Sequence, residues 1–238
     1  MKTFPNPTKL KILTLAAGAL ALELQTLLYA TGVDEKGLLV PNHPAGIAVW
    51  ALTILMAVIL FCLTRPIQGP RRYLDAFPPS IAGGVGALLA AIGAAISALQ
   101  DLSAQNLPYA VAGFLCAGAL VMLSLCRATG HKAPFLLHIV VSVCFALRLL
   151  ALYHTWSFNP QLHNYCFKLF ACIGLATTGY QLAAFDLGKG SHRTLWLSSL
   201  ASVFLCFLSL RDGDALFFIT GGCFALTATS SLKMPRRK

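Results

Sequence analysis

SIAGGVGALLAAIGAAISALQ, residues 80–100, is an apolar run without a single formal charge. A helix rises about 1.5 Å per residue, so a segment of this length reaches across the roughly 30 Å hydrocarbon core of a bilayer. Seven further apolar windows are set off by polar punctuation: Lys11–Ala30, Ala45–Leu63, Tyr109–Leu125, Phe135–Tyr153, Tyr165–Ala183, Thr194–Leu210 and Ala215–Leu232. Together they predict an all-α, polytopic bundle of eight transmembrane helices, one integral membrane domain over residues 1–238. The last two windows are short, and the charges in Arg211-Asp212-Gly213-Asp214 predict a turn between them.

Composition agrees with this reading. The chain is 57% hydrophobic and 11% charged, with a mean hydropathy of +0.73, against about 45–50% and ~25% in soluble domains. Eight spans take about 160 residues and leave roughly 78 for loops and tails, too few for a soluble catalytic domain.

All 12 prolines fall outside the window cores. Pro44, Pro79, Pro108 and Pro134 precede or open spans two to five, where a missing N–H costs nothing. No span carries an internal proline, which argues against the broken helices that many secondary transporters use.

Lysine and arginine are distributed by side. Fourteen of the 18 belong to one side: Lys2, Lys9, Lys11, Arg65, Arg71, Arg72, Arg127, Lys132, Lys189, Arg193, Lys233, Arg236, Arg237 and Lys238. The other side holds only Lys36 and Arg211, together with Asp34, Glu35, Asp101, Asp212 and Asp214. The positive-inside rule then predicts a multi-pass protein of the cell membrane with both termini cytoplasmic. The net charge of +10 follows from topology and attraction to anionic lipid. No basic soluble module is present to bind nucleic acid.

The first window follows lysines as a signal peptide does, but its full length, with Glu23 and Gln25 inside it, predicts a retained helix. The eight cysteines contain no Cys-x-x-Cys and lie mostly within spans. They read as packing residues, with neither a disulfide framework nor a thiolate metal site.

Weak internal similarity suggests a parallel 4+4 duplication over 1–126 and 127–238. Ala21-Leu22-Glu23-Leu24 with Tyr29 echoes Ala146-Leu147-Arg148-Leu149 with Tyr153, and Leu99-Gln100-Asp101 echoes Leu210-Arg211-Asp212. Short Ala-Leu matches also arise freely in apolar sequence. Small residues line Ala16, Ala19, Glu23, Thr26 and Ala30 on span one and Gly83, Ala87, Ala90, Ala94 and Ser97 on span three, which predicts both spans to be central. Spans two and seven, rich in bulky residues, are expected to face lipid.

Apart from Lys11, which opens the first window, three formal charges lie inside the windows: Glu23, Arg148 and Lys168. From the helical rise they sit about 4, 6 and 10 Å beyond the span midpoints towards the outside. An unpaired charge at the helix centre costs roughly 2.5–3.5 kcal/mol, so Glu23 and Arg148 are expected to face inward and meet. Such a pair can simply fix two spans. Alternatively, Arg148 and Lys168 line an outward-opening site for an anionic solute, with Glu23 compensating or exchanging a proton, since the guanidinium fork suits carboxylate or phosphate. Lys168 can also snorkel outward. Gln25 points about 200° from Glu23 and belongs to a different face.

His154 and His163 flank the outer loop between spans five and six, beside Tyr153, Trp156 and Tyr165, and read as outer-rim polar residues or interfacial anchors. That loop has no carboxylate to complete a metal site. His138 lies near the inner end of span five on a different face from Arg148, so no bis-histidyl haem is expected. No phosphate loop, zinc-protease, nucleophile-elbow or dinucleotide motif occurs, and Ala82-Gly83-Gly84-Val85-Gly86 has no preceding strand. No catalytic residue, cofactor or metal is therefore assigned.

The leading expectation is a membrane protein that binds or transports a small, anionic solute through the outer-half polar site. Its partners would be the lipid bilayer, the solute and a membrane or ATPase subunit. One alternative is a non-catalytic membrane subunit or sensor, favoured by unbroken helices and short loops. The other is a membrane-embedded lipid-processing enzyme, for which Asp75, Asp186, His131 and His192 are the scattered candidates.

Overall fold

The computed structural model describes residues 6–32, 39–40, 42–67, 69–156, 162–211, 214–230 and 232. Among them are eight long helices, one single-turn helix and no strand. They are α1 (Pro7–Thr31), α2 (Pro44–Thr64), the short α3 (Tyr73–Ala76), α4 (Ile81–Ser103), α5 (Leu107–Thr129), α6 (Phe135–Trp156), α7 (Leu162–Asp186), α8 (His192–Leu208) and α9 (Ala215–Ser230).

The helix starts follow local chemistry. Prolines occupy the first turns of α1, α2 and α5, where their missing N–H would have no helical partner anyway. Side chains of Asn6, Ser80 and Ser191 accept hydrogen bonds from the backbone N–H of Thr8, Gly83 and Thr194, capping α1, α4 and α8. The connection from α5 to α6 turns on Gly130 at φ 75°, the left-handed conformation that favours glycine.

Five helices are long and apolar enough to cross a membrane: α1, α2, α4, α5 and α6 over Phe135–His154. Helices α8 and α9 are apolar but only 17 and 16 residues long. The 25-residue α7 is not among the five. The chain is thus a multi-helix membrane protein.

Packing arranges α4, α5, α6, α7 and α9 as a ring of neighbours, while α8 packs on α7 and α9 and carries α1 and α2. Small residues set the close contacts. Ser124 of α5 donates to the Gly84 carbonyl at 2.8 Å, and a methyl added at Gly84 would meet Ala128 at 3.1 Å. On another side of α4, Gly86 and Gly93 lie directly against Thr227 and Thr220 of α9. The expected small face of span three is accordingly buried, with Ala87, Ala90 and Ala94 at 4%, 0% and 8% exposure.

Two packing expectations are corrected. On α1 the stripe Ala16, Ala19, Glu23, Thr26 and Ala30 is exposed, and Leu10, Thr14, Gly18, Ala21 and Gln25 are buried instead. Both faces of this helix carry small residues. Its only glycine decides between them, because Gly18 receives the Phe207 ring of α8, 2.6 Å from where a Cβ would stand. Span seven, expected to face lipid, is α8 at the hub, with Leu195, Trp196 and Leu200 at 0% exposure. The Phe207 ring of this helix fits because α1 presents Gly18 to it. Span two does face outward, with 17% of its apolar window buried.

Interhelical contacts sort the helix ends into two groups. At one end Lys11 donates to Ser230, the Ser80 N–H to the Arg127 carbonyl and Arg127 to the Thr227 carbonyl. At the other, Arg211 donates to the Thr26 carbonyl, and Arg148 reaches Asp101 and Asp214. The first group coincides with the lysine- and arginine-rich side. Helix neighbours do not repeat with two-fold symmetry: α8 packs on α1 and α2, whereas α4, its counterpart in a 4+4 scheme, does not pack on α6 or α7.

Candidate functional site

Arg148 lies three and a half turns along α6, the helix that α5 and α7 flank. Its Nη1 donates to Asp101 Oδ1 at 2.9 Å and Oδ2 at 3.2 Å, and its Nη2 to Asp214 Oδ1 at 2.8 Å. The guanidinium carbon stands 5.3 Å from the Phe217 ring centroid, and Nε is buried without a hydrogen-bond partner. Lys168 of α7 joins from the other side, its Nζ 4.0 Å from Asp214 Oδ2. Among the described residues four charged side chains, from α4, α6, α7 and the residue before α9, therefore converge as two cations and two carboxylates.

Burial differs within the cluster. The Lys168 side chain is 2% exposed, Arg148 and Asp101 are 16% exposed, and Asp214 is 27% exposed. Beneath Asp101 and Arg148 lies a cavity of about 40 Å³, bordered by Ala94, Ser97, Gly113, Cys116, Phe145 and Thr220. That space admits a water or two.

Of the residues expected at a site, Arg148 and Lys168 are brought together through Asp214. The expected Glu23–Arg148 pair does not form. Glu23 is exposed on α1, which packs on α2 and α8 and does not touch α6. The physical reason is the choice of α1 face made by Gly18. His154 is exposed at the end of α6. The side chains of His163, Trp156 and Tyr165, and the residues Asp212 and Gly213, lie outside the described residues.

Asp101 and Asp214 were assigned to outer loops by sequence, yet they are the partners of Arg148. A signal for Asp101 existed. Helix α4 continues past Gln100, and Asp101 follows Ala94 and Ser97 at helical spacing on the buried face. For Asp214 no local pattern pointed inward.

A second polar cluster closes the opposite end of α6 and α7. His138 Nδ1 and Asp186 Oδ2 are 2.8 Å apart with side chains 0% and 1% exposed. The Tyr73 ring lies 5.7 Å from the His138 ring, and the Arg127 guanidinium stands 5.0 Å from the Phe77 ring. Burial pushes the Tyr73 phenol up, opposed by the Arg127 charge. Asp186 and His192, which sequence left among scattered loop residues, are buried: His192 Nε2 donates to the Pro70 carbonyl at 2.7 Å. Among the described residues no group of three or more histidine, cysteine or acidic side chains is placed to hold a metal ion. No protein-family model, curated protein or solved structure matches the chain.

Proposed function

We propose that the chain crosses the membrane eight times, with both termini cytoplasmic, and binds or transports a small solute at the outer-half cluster of Arg148, Lys168, Asp101 and Asp214. The lysine and arginine distribution supports the orientation. The ends of α7 support its crossing: Lys168 belongs to the outer cluster and Asp186 to the inner one, about 27 Å apart at the helical rise.

The observation that carries the solute reading is that carboxylates hold both ends of the Arg148 fork. A purely anionic solute would have to displace one of them and leave a carboxylate uncompensated in a poorly hydrated place. A zwitterion replaces like with like, its carboxylate on Arg148 or Lys168 and its ammonium on Asp101 or Asp214. We therefore narrow the solute from an anion to a small zwitterion of the ω-amino acid class. Because the cavity holds only a water or two, such a solute enters by opening these ion pairs.

Purified protein in lipid nanodiscs, melted with each of a series of ω-amino acids and with matched carboxylates and amines, tests this reading. A rise in melting temperature of several degrees with at least one ω-amino acid, and none with the carboxylate or amine of equal length, is expected. No rise with any zwitterion, or an equal rise with the simple carboxylate, would overturn it.

A further inference from the structure

Gln25 is 3% exposed, and its Oε1 has no hydrogen-bond partner. A buried amide oxygen left unpaired is costly, so its environment calls for an explanation. The residue borders a cavity of about 310 Å³ between the outer ends of α1 and α2. This cavity is separate from the charge cluster: Gln25 is on the α1 face turned away from Glu23, and the bordering residues include none of Arg148, Asp101 and Asp214.

The walls give the chemistry of an occupant. Trp50 of α2 and Phe167 of α7 pack against each other in the cavity wall with ring centroids 4.7 Å apart, and Tyr29 adds a third aromatic ring. His43 Nδ1 is a second buried atom without a hydrogen-bond partner. No aspartate, glutamate, lysine or arginine is among the described bordering residues. Gly46 leaves the α2 wall open, since a Cβ there would meet only Leu28, at 3.6 Å.

An apolar, aromatic-lined cleft with a few convergent polar groups is the usual form of a small-molecule site. The geometry points to a binding site for a neutral molecule that pairs a flat ring with an O–H or N–H donor, such as a phenol or an indole. The ring packs against Trp50, Phe167 and Tyr29, and the donor hydrogen-bonds to the Gln25 amide oxygen. The described bordering residues offer a charged ligand no counter-ion, and it would lose its hydration; Arg211, 5.0 Å from the Tyr29 ring centroid, is already engaged with that ring and with the Thr26 carbonyl. This site does not depend on the solute reading of the Arg148 cluster.

The test is ligand-observed fluorine NMR on the protein in nanodiscs, comparing 4-fluorophenol with 4-fluoroanisole, which has the same ring and no donor. Protein-free nanodiscs correct for partition into lipid. The wild type is expected to bind the phenol about tenfold more tightly than the ether. Gln25→Leu, which removes a buried unpaired polar group and so is not expected to impair folding, should erase that preference. Gly46→Phe, which fills the cavity, should abolish saturable binding of both. Equal affinity for phenol and ether in the wild type overturns the proposal without reference to any variant. A phenol preference that survives both substitutions overturns it as well.

Discussion

Arg148→Gln is expected to destabilise the folded bundle by about 3 kcal/mol, the lower end of the cost of removing one partner from a buried ion pair, because the groups it leaves behind are partly exposed. Asp101 and Asp214 would then face one another without the guanidinium between them, and among the described residues the cation left at the cluster is Lys168, its Nζ 4.0 Å from Asp214 Oδ2. Adding Asp101→Asn should recover more than half of the loss, since one unpaired carboxylate is removed with its partner. Thermal or denaturant unfolding of the two variants beside the wild type measures this. A double variant less stable than Arg148→Gln would mean that Asp101 does not act through Arg148.

Gly93→Leu is expected to be at least as harmful, by about 3 kcal/mol or enough to prevent folding. A Cβ at this position runs into the Thr220 hydroxyl of α9, and both groups belong to helices that cannot separate without opening the rest of the α4 face. Overpacking a close helix contact typically costs about 1–3 kcal/mol before such backbone displacement is added. Gly118→Leu is the control: a Cβ there meets nothing within 4 Å, on the exposed face of α5. The two variants, compared by yield of monodisperse protein and by melting temperature, should differ sharply. Equal behaviour would show that α4 and α9 are not packed as described.

Much of the architecture was legible because bilayer physics writes it in lengths and punctuation. The uncharged run over residues 80–100 and the prolines at helix starts mark elements whose backbone must be satisfied internally. Burial on α4 was legible too, since Gly83, Ala87, Ala90 and Ala94 form one small-residue face. On α1 the same logic failed. Small residues lie on both faces of that helix, and what separates the faces is the partner ring of Phe207, almost two hundred residues away in sequence. The hub position of α8 was hidden for a related reason, because a bulky helix faces lipid or fills a groove according to what its neighbours present.

At the candidate site, Arg148 and Lys168 stood out because charge inside a span is costly. Their partners did not. Asp101 and Asp214 border the apolar windows, where a carboxylate is unremarkable until the helix register turns it inward. Glu23 drew attention for the same reason as Arg148, but the fold leaves it on an exposed flank. Charge in a span signals that some partner or environment is required, while the identity of that partner is a property of the packing.

The most direct measurement of the central claim is isothermal titration of an ω-amino acid that raises the wild-type melting temperature into the Arg148→Gln/Asp101→Asn double variant in nanodiscs. If the cluster is the solute site, the double variant stays folded and shows at least a hundredfold loss of affinity. If it remains folded and binds as tightly as the wild type, the ion pairs hold helices together and do not hold a solute.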